Sequence, residues 1–208
     1  MQISMTLIVM VRHGESSGNV NRIISNDYDG HPLTSKGSEQ ATIVGGELKG
    51  AKVDHIYTSP VLRARETAEI IAESIGCTVV VDERLRERNF GDFNNRNVDE
   101  VDWKTLLLEG VYRNVEPWEE MYHRVLDFVR ERNEEILVFV SHYDPIRVLL
   151  AKGIGLQDEL SAYGLVIPNA SSSIMVGKHD GTLKAVAVSI PPQKGMLRRY
   201  LNPYLFIS

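Results

Sequence analysis

Arg12, His13, Arg63, Glu87 and His142 are the side chains in this sequence whose types suit one chemistry. A neutral imidazole is a competent nucleophile toward phosphorus. Guanidinium groups beside a helix N-terminus offset the charge of a dianionic phosphate. A carboxylic acid such as Glu87 would protonate the departing oxygen. Phosphoryl transfer needs mainly positioning and charge stabilisation, so this set could work without a metal.

Two apolar runs must position the histidines. Leu7-Ile8-Val9-Met10-Val11 stops abruptly at Arg12-His13-Gly14-Glu15-Ser16, and Ile136-Leu137-Val138-Phe139-Val140 stops at Ser141-His142. Short continuous apolar runs read as strands buried on both faces, as in a parallel sheet. Ligands of open α/β sheets sit at the carboxyl ends of such strands. If the two strands are adjacent, His13 and His142 meet at one edge of the sheet. Arg63 falls just inside a helix that Ser59-Pro60 opens, with Pro in the first turn and Gly76 at the end. Its Val61, Ala64, Ala68, Ile71 and Ile75 recur at spacings of three and four, the pattern of an amphipathic helix.

The remaining elements follow in alternation. Ser16 to Pro32 is polar and turn-rich, a loop over the strand end. Thr34 or Ser35 caps a helix through Ala41, Val44 and Leu48 that Gly50 closes. Val53 to Thr58 and Val79 to Val81 are strands. From Asp82 to about Pro117 the pattern loosens, with a short helical patch at Val101 to Leu108, so 88–117 reads as a lid-like insertion. Helices are expected over Trp118 to Val129 and Pro145 to Lys152. A hairpin spans Ser172 to Gly177 and Leu183 to Ser189 around Asp180-Gly181, and the tail, Met196 to Ile207, packs back on the body. This alternation indicates an α/β fold: a three-layer sandwich with a mostly parallel central sheet flanked by helices, in one domain over 1–208.

Composition narrows the partners. The net charge of −5 argues against non-specific binding to nucleic acid or anionic membrane, so an anionic substrate needs a locally basic pocket. Cys77 is the one cysteine, which excludes an internal disulfide and fits a reducing cytoplasm. The first apolar run is short, lacks a basic flank and leads into Arg12-His13, unlike a signal peptide, and nothing reaches transmembrane length. A Gly-rich phosphate loop with its lysine is missing. Cys77 has Glu83, not arginine, six positions on, which argues against a cysteine phosphatase. His13-Gly14-Glu15 and His142-Tyr143-Asp144 do not have the spacing of metal clusters. His31, His55, His123 and His179 read as surface histidines, Arg65 as a solvated helix residue, and Asp99–Glu100 and Glu119–Glu120 as solvated helix faces.

Four separate motifs carry a family resemblance: Arg12-His13-Gly14-Glu15-Ser16 with Asn19; Tyr57-Thr58-Ser59-Pro60, Arg63-Ala64 and Thr67-Ala68; Leu85-Arg86-Glu87 with Phe90-Gly91; and Val140-Ser141-His142 with Ile146-Arg147. With Pro32-Leu33-Thr34, Gly37 and Gln40-Ala41 they span three quarters of the chain in order. The chain resembles the histidine phosphatase (phosphoglycerate mutase-like) superfamily. The resemblance implies that His13 becomes a phosphohistidine, that Arg12, Arg63 and His142 hold the phosphoryl oxygens, and that Glu87 is the proton donor. Ser16 and Asn19 are candidates for the pocket rim. The chain departs from the family at Tyr143-Asp144-Pro145, where glycine is usual after the second histidine. Tyr143 there narrows the entrance or offers a hydroxyl to the substrate. Gly18 replaces a common tryptophan, and the pattern after Gly91 survives only in part, as Asp92-Phe93-Asn94-Asn95.

These residues predict a metal-independent phosphomonoesterase acting on a small-molecule phosphate ester, with no cofactor, no nucleic acid and no membrane partner. The oligomeric state is open. A cofactor-dependent phosphoglycerate mutase is the alternative, because Glu87-Arg88-Asn89-Phe90-Gly91 is close to the mutase form of that motif. Against it, Lys104 and Arg113 are isolated between Asn97 and Pro117, where mutases grip a second acidic group. A non-catalytic phospho-ligand binding module is the third reading.

Overall fold

In the computed structural model, residues 5–103, 114–178 and 181–205 are described. Strand β1, Met5–Arg12, is central in a six-stranded sheet. The other strands are β2 (His55–Thr58), β3 (Thr78–Val81), β4 (Ile136–Ser141), β5 (Ser172–Lys178) and β6 (Leu183–Ile190). The order is β3-β2-β4-β1-β5-β6. The first four strands run parallel, and the β5–β6 hairpin adds an antiparallel edge. β1 and β4 are neighbours, as the two runs require, with Arg12 opposite Ser141.

The alternation of side chains along a strand explains the layers. Leu7, Val9 and Val11, with Ile136, Val138 and Val140, enter one core; Ile8 and Met10, with Leu137 and Phe139, enter the other. The first core is closed by α2 (Ser35–Leu48), α3 (Leu62–Ile75) and α6 (Met196–Leu205), which follow a single-turn α1 (Ser17–Val20). The second is closed by α4 (Trp118–Arg130) and α5 (Tyr143–Gly153). Helices on both faces of one sheet make three layers. The tail docks as expected: Leu197 and Leu201 are buried, and the Glu47 carboxylate accepts from the Gly195 and Arg198 N–H groups at 2.7 and 3.1 Å.

Some boundaries differ from the sequence reading. α3 begins at Leu62, so Pro60 lies before the helix and not in its first turn. The reason is that Ser59 and Leu62 are tied elsewhere: the Ser59 N–H donates to the Val140 carbonyl, and the Leu62 N–H to that of Tyr28. β2 starts at His55, since the Val53 N–H closes a turn onto Ala51. α5 starts at Tyr143, two residues early. Cys77 is half-buried, not buried. Asp99 and Glu100 form a 3₁₀ turn and no helix face. His179, Asp180, Lys104, Arg113 and most of the helical patch at 101–108 lie outside the described residues. Among the described residues no helix is long and apolar enough to cross a membrane.

Candidate active site

β1 and β4 bring their carboxyl ends together. The His13 N–H donates to the Ser141 carbonyl at 3.0 Å, and the two imidazoles lie 5.1 Å apart, tilted by 58°. Both are buried, His13 2% exposed and His142 not at all. Gly14 permits the sharp turn that follows: a Cβ there would meet the Gly37 carbonyl oxygen at 2.5 Å. The Gly14 N–H donates to Thr67 Oγ1, whose hydroxyl donates to the Arg63 carbonyl. Thr67 thus couples the turn to the helix that carries Arg63.

Hydrogen bonds settle the His13 tautomer. Nδ1 lies 2.7 Å from the Gly14 carbonyl, which can only accept, so Nδ1 carries the proton. Nε2 keeps its lone pair and accepts from Arg63 Nε at 3.1 Å. Burial, then Arg63 and Arg12, hold the imidazole well below its ordinary pKa, so it is neutral at pH 7. A neutral imidazole with an unprotonated Nε2, which Arg63 orients and would release to an incoming phosphoryl group, is what a nitrogen nucleophile requires.

Further donors belong to the same site. Arg63, 5% exposed, spends Nη2 on the Ser25 carbonyl, while Nη1 has no protein partner among the described residues. Arg12 gives Nη1 to the Ile167 carbonyl and leaves Nε unpartnered. Burial lowers its pKa to about 10, which leaves it charged at neutral pH. His142 Nε2 lies 2.7 Å from Ser59 Oγ, and Nδ1 is unpartnered. In the tautomer where the Ser59 hydroxyl donates to Nε2, His142 Nδ1 carries the proton and is a third unpartnered donor. Buried donors are normally satisfied. Orphaned nitrogens on Arg12, Arg63 and His142, three residues of one site, are the groups that a bound anion would satisfy.

Glu87 faces the same space. Its Oε2 is 4.0 Å from His142 Nδ1, and its Oε1 accepts from the Arg88 N–H at 2.8 Å. Burial, reinforced by Asp144, raises its pKa to about 7 against the pull of Arg63 and Arg12. A carboxyl group half-protonated near pH 7 is suited to giving and taking a proton.

Arg12, His13, Arg63 and Glu87 line one cavity of about 650 Å³, and His142, fully buried, is not part of its lining. Ser16, Asn19 and Tyr143 line it too. Ser16 and Asn19 form the capping box of α1, with Asn19 Oδ1 also accepting from Asn169 Nδ2 at 3.0 Å, so much of their polarity is engaged in local structure. The Tyr143 hydroxyl donates to the Leu165 carbonyl, and its ring lies under Arg12 and Arg147, at 5.1 and 5.3 Å. That fixes Tyr143 as a wall of the entrance. His31 was read as a surface residue, yet it lines the cavity; Gly18 leaves its ring room, since a Cβ would meet it at 3.0 Å. Ser59, Thr67 and Asn169 also escaped a role. The first two stand inside the second motif, whereas nothing in sequence marks Asn169. Among the described residues no cluster of three or more metal-ligating side chains occurs.

Two imidazoles, two arginines and a carboxyl group at the carboxyl edge of a parallel sheet define a phosphate-handling α/β enzyme fold. The chain belongs to the histidine phosphatase superfamily (branch 1), whose family model matches residues 8–188. It is 34% identical, over 95% of its length and 99% of the relative's, to a 2,3-bisphosphoglycerate-dependent phosphoglycerate mutase of Thermoplasma acidophilum. It is 36% identical to a probable phosphoglycerate mutase of Escherichia coli, over 73% of this chain and 72% of that one. A solved Bacillus stearothermophilus protein, YhfR, superposes with a TM-score of 0.77 at 26% identity, covering 88% of this chain and 96% of that one. A mycobacterial glucosyl-3-phosphoglycerate phosphatase shares the fold at a TM-score of 0.77, 24% identity, and coverage of 88% and 98%. The family thus contains both phosphatases and mutases, and the chain is an enzyme of that family.

Proposed function

We propose that this chain is a metal-independent phosphomonoesterase that hydrolyses a small phosphorylated metabolite through a phosphohistidine at His13. The observation that carries the reading is the unprotonated Nε2 of buried His13, held by Arg63, in a site where Arg12, Arg63 and His142 each keep a buried nitrogen without a partner. In the first step Nε2 attacks phosphorus and the ester P–O bond breaks, while Glu87 gives its proton to the departing oxygen. In the second, Glu87, now a carboxylate, takes a proton from water as its oxygen attacks phosphorus. The P–N bond breaks, phosphate leaves, and His13 returns to its neutral form. Arg12, Arg63 and His142 stabilise the equatorial oxygens in both steps. Ser16, Asn19 and Tyr143 bound the substrate's approach. Cys77, one half-buried thiol, supports a cytoplasmic setting.

Hydrolysis is favoured over mutase action by the charge pairing of the cavity. Among the described residues, the lining arginines beyond Arg12 and Arg63 are Arg22, Arg88 and Arg147, and each is already held by a carboxylate. The mutase reading is favoured by the Thermoplasma relative, similar over nearly its whole length. Phosphate release from an aryl phosphate, set beside conversion of 3-phosphoglycerate to 2-phosphoglycerate primed with 2,3-bisphosphoglycerate, tests the two together. We expect phosphate release that His13→Ala abolishes. Isomerisation without release would overturn hydrolysis in favour of the mutase.

A further inference from the structure

Away from His13 the cavity changes character. Arg22 binds Asp99 through Nε and Nη2 at 2.7 and 2.5 Å. Arg88, 1% exposed, binds both oxygens of Glu159 at 2.6 and 3.1 Å. Arg147 meets Asp144 at 2.9 Å and Glu159 at 3.3 Å. Arg88, Arg147, Asp144 and Glu159 all line the cavity, two of each sign. A second anionic group on a substrate would have to displace a carboxylate from a guanidinium already buried with it, and would face the displaced charge.

Beside these pairs the lining has an apolar stretch made by Ile24, Phe90, Val98 and Trp103. The Trp103 ring lies 6.2 Å from that of Phe90 and 5.7 Å from that of Phe93, and with Val101 these residues form a cluster separate from both cores of the sheet. A bridge between Ile23 and Asn97 joins the two segments that supply it. Rings presented to a cavity, instead of to a core, suit a flat apolar ligand. At about 650 Å³ the cavity holds far more than a phosphoryl group.

Building on the phosphomonoesterase reading, we infer that the preferred substrate is a monoester whose alcohol part is uncharged and carries an aromatic or similarly flat apolar body. That body rests on Trp103 and Phe90. Alcohols bearing a carboxylate or a second phosphate are disfavoured by the paired charges of Asp144 and Glu159.

Non-hydrolysable phosphonates test this separately from catalysis. Calorimetry of the full chain should give naphthylmethylphosphonate an affinity at least roughly tenfold above that of 3-carboxypropylphosphonate. Trp103→Ala should remove most of that preference, with a smaller effect on inorganic phosphate. Should Trp103→Ala fail to fold, Phe90→Leu replaces it, and the wild-type comparison stands without either. Equal affinities, or tighter binding of the carboxylate, would overturn the inference. Phosphate release separates the two levels. Hydrolysis of 3-phosphoglycerate as efficient as that of naphthyl phosphate defeats the substrate class and leaves the phosphomonoesterase. Isomerisation of 3-phosphoglycerate without release defeats the phosphomonoesterase and, since that substrate carries a carboxylate, the substrate class with it.

Discussion

One cavity holds two opposite treatments of buried charge. Around His13, Arg12 and Arg63 keep donors without protein partners, and His142 does the same with Nδ1. Beside them, Arg88 and Arg147 are locked to Glu159 and Asp144. An unpartnered buried cation costs stability and is retained where a ligand supplies the anion. A paired one contributes to holding the structure, and its loss leaves a stranded carboxylate. The inner region is therefore organised for binding charge, and the outer region for excluding it.

Substitutions should break this contrast in a graded way. The largest effect belongs to His13→Ala, which should lower turnover by about 10⁴-fold or more, the scale on which a covalent nucleophile is missed; steady-state phosphate release measures it. Glu87→Gln should slow the transfer to His13, read in a single turnover, roughly 10²- to 10⁴-fold with alkyl esters and far less with nitrophenyl phosphate, whose departing oxygen needs no proton. Equal losses with both esters would remove Glu87 from the role of acid.

The pH profile sharpens the same point. Glu87 must be protonated in the first step, so turnover of an alkyl ester should fall as pH rises through about 7. His13 must be neutral, and its pKa is held well below the ordinary value of 6.5, so turnover should persist as pH falls through 6.5. Glu87→Gln should erase the alkaline decline. Stability has its own sign: His13 and His142 are both neutral in the fold, and their lowered pKa values mean that stability is lost as pH falls through about 6.5, where the unfolded chain takes up protons.

Stability separates the two regions directly. Arg88→Ala takes both short bonds from Glu159 and leaves it only Arg147 at 3.3 Å, and should cost about 3 kcal/mol in urea unfolding. Arg12→Met removes a cation whose Nε has no partner and should change stability by less than about 1 kcal/mol. In the same variant, the rise in Tm that millimolar phosphate gives the wild type should vanish.

How much of this could be seen in the sequence depends on the range of the interaction. The strands β1 and β4 were legible because both cores draw on them, leaving unbroken apolar runs that end where the polar site begins. α2 and α3 were legible through Thr34, Gly50 and Gly76, whose capping or turn geometry is local; Gly76 takes the left-handed conformation at φ 77°. The pairing of Arg88 with Glu159 spans 71 residues and follows from no local pattern. His31 fits beside the cavity because Gly18, at the other end of the same loop, leaves space for its ring, a contact that the loop's path and not its sequence creates. Ser59 was visible as a motif residue, yet its bond to His142 arises from the meeting of β2 with β4. Tyr143 stood out as a departure from the family, and only the surrounding Arg12, Arg147 and Leu165 explain where its ring and hydroxyl go.

The most direct test of the account is to trap the enzyme during turnover. Rapid denaturation of the wild type mixed with an aryl phosphate, followed by intact-mass and peptide analysis, should reveal one acid-labile, alkali-stable phosphoryl group on His13. The adduct should accumulate further in Glu87→Gln with nitrophenyl phosphate, where attack needs no acid and hydrolysis loses its base, and it should be absent from His13→Ala. A phosphoryl group that maps to another residue, or turnover that survives in His13→Ala, would contradict the central claim.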